Sequence, residues 1–151
     1  GLLNFRSTIS SQGAFYAPAG DAKVSVVDVR DIASITAKAL TESGHEGKSY
    51  DITGPEALTH AEMAHQLSQA VGKPIQYVNV PPAAMREALL GFGMSAWQAD
   101  GLVEDYDHYR RGEATAVTST VRDLTGKEAT LFSQFARDYA TSFLGRAAGT
   151  T

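Results

Sequence analysis

DAKVSVVDVRDIASITAKALTESGHEGKSYDITGP, residues 21–55, is the stretch that decides the fold class. Residues 24–27 form a short, nearly continuous apolar run that ends in Asp28. Apolar or small residues then recur at Val29, Ile32, Ala33, Thr36, Ala37 and Leu40, the three-and-four spacing of a buried helix face. Asp28 stands where an N-cap carboxylate accepts from free backbone N–H groups, and Asp31 adds negative charge to the first turn, which the helix dipole favours. Gly44 suits the residue just past the helix end. Residues 48–53 alternate, with Tyr50 and Ile52 on one side and Ser49, Asp51 and Thr53 on the other, as a strand does. The pattern predicts strand, helix, strand; two such strands in one sheet are parallel and joined by a right-handed crossover. The chain reads as α/β.

Working outward, Leu2, Leu3, Phe5 and Ile9 give a weak helical period that Gly13 breaks, and residues 14–17 suit a short strand. Downstream, Thr59 followed by Glu62 is a capping-box pattern, with Met63, Ala64, Leu67, Ala70 and Val71 on the buried face of a helix that stops at Gly72. Residues 75–80 alternate as an edge strand that Pro81 and Pro82 terminate. Pro82 opens a helix carrying Met85, Ala88 and Leu89. A second helix, capped by Ser95, runs to about Arg111 with Ala99, Leu102, Val103, Tyr106 and Tyr109 on one side. Residues 118–125 suggest one or two turns ending at Gly126. Phe132, Phe135, Ala136, Tyr139 and Phe143 predict a single final helix after a Thr130 cap.

At 151 residues the chain suits one domain, residues 1–151, with its own core. With 43% hydrophobic and 20% charged residues it reads as globular rather than disordered. There is no cysteine, so disulfides, thiolate metal sites and a cysteine nucleophile are excluded. A formal charge of −4 with scattered Lys and Arg argues against a nucleic-acid binder. No apolar run reaches membrane-spanning length and the start lacks signal-peptide order, so the expectation is a soluble cytoplasmic protein.

Individual motifs promise little chemistry. HAEMAH, residues 60–65, resembles a zinc-protease helix, but that site needs two histidines four apart, whereas His60 and His65 are five apart. Both read as surface histidines, and no metal site is expected. GKS at residues 47–49 lacks the preceding glycine of a phosphate loop, with Glu42 in its place, and is followed by a strand pattern. Asp28 and Asp31, with Arg30 between them, have the composition of an acid–base pair, yet capping accounts for both. Phe92, Trp97, Tyr106 and Tyr109 have the composition of an aromatic pocket, yet such a stripe at helical spacing belongs to a core. The Tyr106, Asp107, His108, Tyr109 cluster reads as solvent-exposed. No GxSxG elbow, glycine-rich strand-to-helix turn or tyrosine with a lysine four residues on is present.

Residues 13–73, GAFYAPAGDAKVSVVDVRDIASITAKALTESGHEGKSYDITGPEALTHAEMAHQLSQAVGK, with IQYVNVPPAAM, GMSAW and VRDLTGKEATLFSQFARDY further on, resemble the second half of NmrA-like atypical short-chain dehydrogenases. The most specific blocks are DVRDIA and GKSYDITGPE. That group includes NAD(P)H-dependent quinone oxidoreductases, triphenylmethane reductases and redox-sensing regulators. The resemblance implies a partial Rossmann-type fold with short, mostly parallel strands and a helical lobe over a substrate cleft. It also implies that the phosphate-binding loop and most catalytic groups lie in an N-terminal half that this sequence does not contain. No catalytic residue carries over. Gly1, Leu2, Leu3 and Asn4 match the segment that passes near the nicotinamide, and Phe15, Asp28 and Trp97 fall in stretches that flank the cleft. Asp28 and Trp97 keep their readings as cap and core.

The function so implied is the C-terminal half of an NAD(P)H-dependent oxidoreductase, in which hydride passes from the nicotinamide to a quinone or similar small conjugated acceptor. The alternatives are a non-catalytic NAD(P)-sensing regulator, or a stand-alone module that binds a small ligand or a protein. The isolated chain is expected to be inactive and to bind no cofactor tightly. Uncovered sheet or helical surface is expected to make it a homo-oligomer.

Overall fold

The computed structural model describes residues 2–145 and places thirteen short elements around two apolar clusters. A 3₁₀ turn, Leu2–Phe5, leads into helix α1 (Arg6–Gln12), which ends at Gly13 with φ +65. Strand β1 (Ala14–Ala17) follows, then strand β2 (Lys23–Val24), helix α2 (Val29–Thr41), strand β3 (Leu58–Thr59) and helix α3 (His60–Val71). Strand β4 (Gln76–Asn79) precedes helices α4 (Pro82–Gly91), α5 (Ala96–Arg110), α6 (Thr120–Thr125), α7 (Phe132–Asp138) and α8 (Ala140–Phe143). The fold class is α/β, as the sequence predicts. β1 pairs with β4 in parallel, Phe15 opposite Tyr77, and β2 pairs with β3 in antiparallel.

The parallel pair is not the one read from residues 21–55. β2 covers only the start of the run at 24–27, because the Ser25 N–H donates to the carbonyl of Ala114 at 2.9 Å instead of to a strand. Residues 48–53 form no ladder. The Gly54 N–H donates to Ser25 at 3.1 Å, while the Thr118 N–H and hydroxyl reach Thr53 Oγ1 and the Asp51 carbonyl, both at 2.9 Å. The Thr118 hydroxyl of a neighbouring loop thus takes up a carbonyl that a strand would offer to another strand. The two backbones still approach closely, and a Cβ on Gly54 would lie 1.9 Å from the Val26 carbonyl oxygen.

α3 forms as its sequence dictates. Thr59 Oγ1 accepts from the Glu62 N–H at 3.1 Å and Glu62 Oε2 from the Thr59 N–H at 2.7 Å, closing the capping box. Met63, Ala64 and Leu67 are buried beneath α7, and Gly72 ends the helix at φ +71. The cluster they join includes Phe15, Ile75, Phe132 and Phe143. Tyr77 and Tyr109 link it to a second cluster of Ala17, Ala19, Met85 and Tyr106, where α4 and α5 pack together.

Four helix expectations change. α2 stops at Thr41, capped by Glu42, and Gly44 with φ +94 belongs to the following turn. The last helix is two, interrupted at Tyr139 (φ −106, ψ 13), so the aromatic stripe bends around the cluster. Thr130 caps neither: its N–H and hydroxyl both donate to the carboxylate of Asp31, at 2.7 and 3.0 Å. Ser95 stands at the N-cap of α5 as expected, but its hydroxyl bonds Gln98 Oε1 at 2.6 Å instead of a backbone N–H.

Candidate functional site

Asp28 begins α2 as its N-cap, accepting from the Arg30 N–H at 2.8 Å. The Arg30 side chain returns to the same carboxylate through Nε at 2.9 Å and a terminal nitrogen at 2.7 Å, while its other terminal nitrogen reaches Asp138 at 2.7 Å. The guanidinium also sits 5.5 Å from the centre of the Tyr139 ring. Those Arg30 hydrogen bonds hold the Asp28 carboxyl below the usual carboxylate range despite its burial. An ionised carboxylate with both oxygens engaged is a structural cap, not a proton carrier.

His60 departs most from its sequence reading. It is 6% exposed, at the first position of α3, with the Phe15, Tyr77 and Tyr106 rings centred 6.3, 5.3 and 5.6 Å from it. Its Nδ1 is buried without a partner, and burial pushes its pKa down to about 4. The imidazole is therefore neutral at pH 7. His60 is not a surface histidine because His60, Met63, Ala64 and Leu67 share one helix face, which is the signal in the sequence that identifies it. His65, on the opposite side of α3, is exposed as expected.

Tyr106 is likewise buried rather than solvent-exposed, and burial raises its hydroxyl pKa above the ordinary tyrosine value. The Tyr77 hydroxyl accepts from the Ala19 N–H at 3.0 Å. Its one proton serves the Ala17 carbonyl at 2.9 Å or Asn79 Oδ1 at 3.0 Å, so it locks the turn after β1. These tyrosines are structural groups around His60.

The residues matched to a cofactor and cleft fall in separate places. Gly1 lies outside the described residues. Leu2 and Leu3 pack half-buried against the first cluster, and Asn4 is exposed. Phe15 is wholly buried, with the Phe5 ring 5.7 Å from its own. Trp97 is 76% exposed and Phe92 83%, so neither is core. Trp97 precedes Tyr106 by nine residues, two and a half helical turns, which puts the two on opposite sides of α5. A shallow concavity of about 300 Å³ between Pro55, Val117, Ser119, Arg122 and Glu128 holds none of these residues.

No nucleophile, base and orienting group come together among these side chains. Among the described residues, no three His, Asp or Glu side chains are grouped as metal ligands. No helix there is long and apolar enough to cross a membrane. The N-termini of α2 and α3 are already occupied by the carboxylates of Asp28 and Glu62, which repel a phosphate.

Comparison with known proteins supplies the context. The chain is 40% identical over 142 residues to the NAD(P)H azoreductase of Xenophilus azovorans, a match covering 94% of this chain and 50% of that protein. Its fold superposes with a TM-score of 0.82, at 28% identity, on the NADPH-dependent quinone oxidoreductase of Escherichia coli complexed with NADPH, covering 91% of this chain and 49% of the other. The NADP(H) complex of Citrobacter triphenylmethane reductase matches with a TM-score of 0.77 at 27% identity, again over 91% and 48%. The chain thus spans about half the length of the curated relatives it matches. Residues 3–131 match the model of the NmrA-like family, and the chain belongs to that family.

Proposed function

We propose that this chain is the cleft-forming half of an NAD(P)H-dependent oxidoreductase that reduces a quinone or a similar small conjugated acceptor. The observation that carries this reading is the likeness, over 91% of the chain, to a quinone oxidoreductase solved with NADPH. Residues 1–151 act as one unit in that enzyme, and the phosphates are held elsewhere in it. Leu2, Leu3 and Asn4 lie toward the nicotinamide. Trp97, whose indole is free on α5, offers a flat apolar face to a conjugated acceptor. Phe15 backs the cleft from inside the core, and Asp28 with Arg30 fixes its wall.

The chain alone is inactive, cytoplasmic and a homo-oligomer through its uncovered surfaces, and it binds NADPH no more tightly than about 1 mM, because no N–H-rich turn among the described residues takes the pyrophosphate. Fluorescence titration with NADPH tests the last point, and micromolar binding overturns it. Light scattering that returns a monomer mass at all concentrations overturns the oligomer. For the activity, the chain is joined to the part of the azoreductase outside the matched region and assayed for NADPH oxidation with a panel of quinones. Turnover that falls on Trp97→Ala supports the reading; NADPH binding without turnover on any quinone overturns it in favour of a sensor.

A further inference from the structure

The concavity beside α6 lies between three segments of the chain. Pro55 lines it from one, Val117 and Val121 from the second, and Glu128 from the third; Val121 is buried and Val117 is 51% exposed. Hydrogen bonds hold these segments in place. The Thr118 N–H and hydroxyl reach Thr53 Oγ1 and the Asp51 carbonyl, both at 2.9 Å, just ahead of Pro55, and the Thr130 N–H reaches Asp31 at 2.7 Å, just past the third segment. The volume, about 300 Å³, stands at the lower end of the range in which proteins hold small ligands.

Arg122, on the rim, is the least engaged guanidinium of the site and its surroundings. A guanidinium carries five N–H donors. Arg30 directs its own to Asp28 and Asp138 at 2.7–2.9 Å, and Arg86 holds Asp100 at 2.6 Å. Among the described residues Arg122 makes one hydrogen bond, a long one of 3.5 Å from Nη1 to Glu128 Oε1. Asp123 Oδ1 stands 3.9 Å from its Nε, and the other oxygen of that carboxylate accepts from the Ser119 hydroxyl at 2.5 Å. The concavity thus presents a loosely paired cation and anion beside the apolar surfaces of Pro55, Val117 and Val121.

We propose that this concavity binds an α-amino acid with an aliphatic side chain, of the chemistry of leucine. Its carboxylate meets the Arg122 guanidinium, whose planar fork suits two parallel hydrogen bonds, and its ammonium meets Glu128. Its side chain lies over Pro55, Val117 and Val121. A ligand with a carboxylate alone faces Glu128, and one with an ammonium alone faces Arg122; in each case like charges repel. An α-amino acid carries both charges on one carbon, which suits a guanidinium and a carboxylate 3.5 Å apart. The site goes beyond the reductase reading and does not rest on it, because none of the residues placed toward the acceptor lines it.

Amide chemical shifts of the 151-residue chain, followed by two-dimensional NMR as L-leucine is added, test the proposal. Saturable shifts are expected at residues 117–122 and 128–129 and not at Arg86 or Asp100. Isocaproate, isoamylamine and glycine lack in turn the ammonium, the carboxylate and the side chain, and each binds at least about fivefold more weakly than leucine. Leucylglycine, whose two charges are a peptide unit further apart, is weakened as much. Arg122→Gln and Glu128→Gln each lower the affinity for leucine about fivefold, whereas Arg86→Gln leaves it unchanged. Both side chains on the rim are more than half exposed, so these variants keep the fold. The absence of saturable shifts with leucine overturns the proposal, as does undiminished binding in either rim variant. Isocaproate binding as tightly as leucine overturns it in favour of a simple carboxylate site, and equal binding of leucylglycine in favour of a peptide. No arm depends on turnover or on NADPH, so failure here is distinct from failure of the reductase reading.

Discussion

α2 and α3 carry the same kind of message and meet different fates. Each has an apolar stripe at helical spacing after an acidic or hydroxyl cap. α3 buries its stripe, with Met63, Ala64 and Leu67 at 2%, 3% and 0% exposure, whereas α2 shows Val29 and Leu40 to solvent. Periodicity states that a face requires cover. It does not state whether the cover lies in the same stretch of chain. α3 finds α7 and β4 within reach; α2 rests mainly on α6, on its other side, with Arg30 reaching Asp138 at its start.

The sharpest way to break the contrast is to truncate matched leucines. Leu67→Ala empties a site with no exposure and costs about 2–5 kcal/mol in urea unfolding, while Leu40→Ala changes stability by less than about 0.5 kcal/mol. Equal losses would mean that both helices are covered alike.

The next test uses the buried histidine at the start of α3. Its folded pKa, about 4, lies below the unfolded value of about 6.5, so the unfolded chain takes up the proton first. Stability is complete above about pH 6.5 and falls as the pH drops toward 4, by up to about 3 kcal/mol. His60→Leu flattens that window. Asp28, at the start of α2, has a lowered pKa, so its contribution is complete above about pH 4 and is lost only below that, as the pH falls through its folded value. Unfolding curves at a series of pH values thus separate the two helix starts.

Gly54→Ala probes the ground between the helices, where a methyl group would collide with the Val26 carbonyl and the backbone must move; a loss of about 1–3 kcal/mol is expected by thermal unfolding. The smallest effect is at the caps. Thr59→Ala lowers stability by about 1 kcal/mol.

Local chemistry was legible in the sequence wherever partner and signal lie close together. The Thr59–Glu62 box, the glycine stops at 72 and 126, the Pro82 start and the strands at 14–17 and 75–80 all formed as read. Features that depend on distant partners were not. Residues 48–53 alternate as a strand, but a strand is defined by its neighbour, and what meets them here is the Thr118 side chain and backbone. Thr130 reads as a cap, yet Asp31, far away in sequence, draws off its hydroxyl. Trp97 reads as core within an aromatic stripe at helical spacing, yet a separation of nine residues on α5 sets it opposite Tyr106. His60 reads as a surface histidine beside His65, yet its spacing to Met63 and Leu67 puts it inside.

The clasp at the start of α2 has a mechanical consequence. Arg30 ties the first turn to Asp138, and Asp31 ties it to Thr130, so the helix is bolted down where it begins. Its far end, at Leu40 and Thr41, is exposed. α2 is thus fastened to the segment at 130–139 at its start and supported by α6 along its middle, which leaves the turn at Leu40 as its least anchored end.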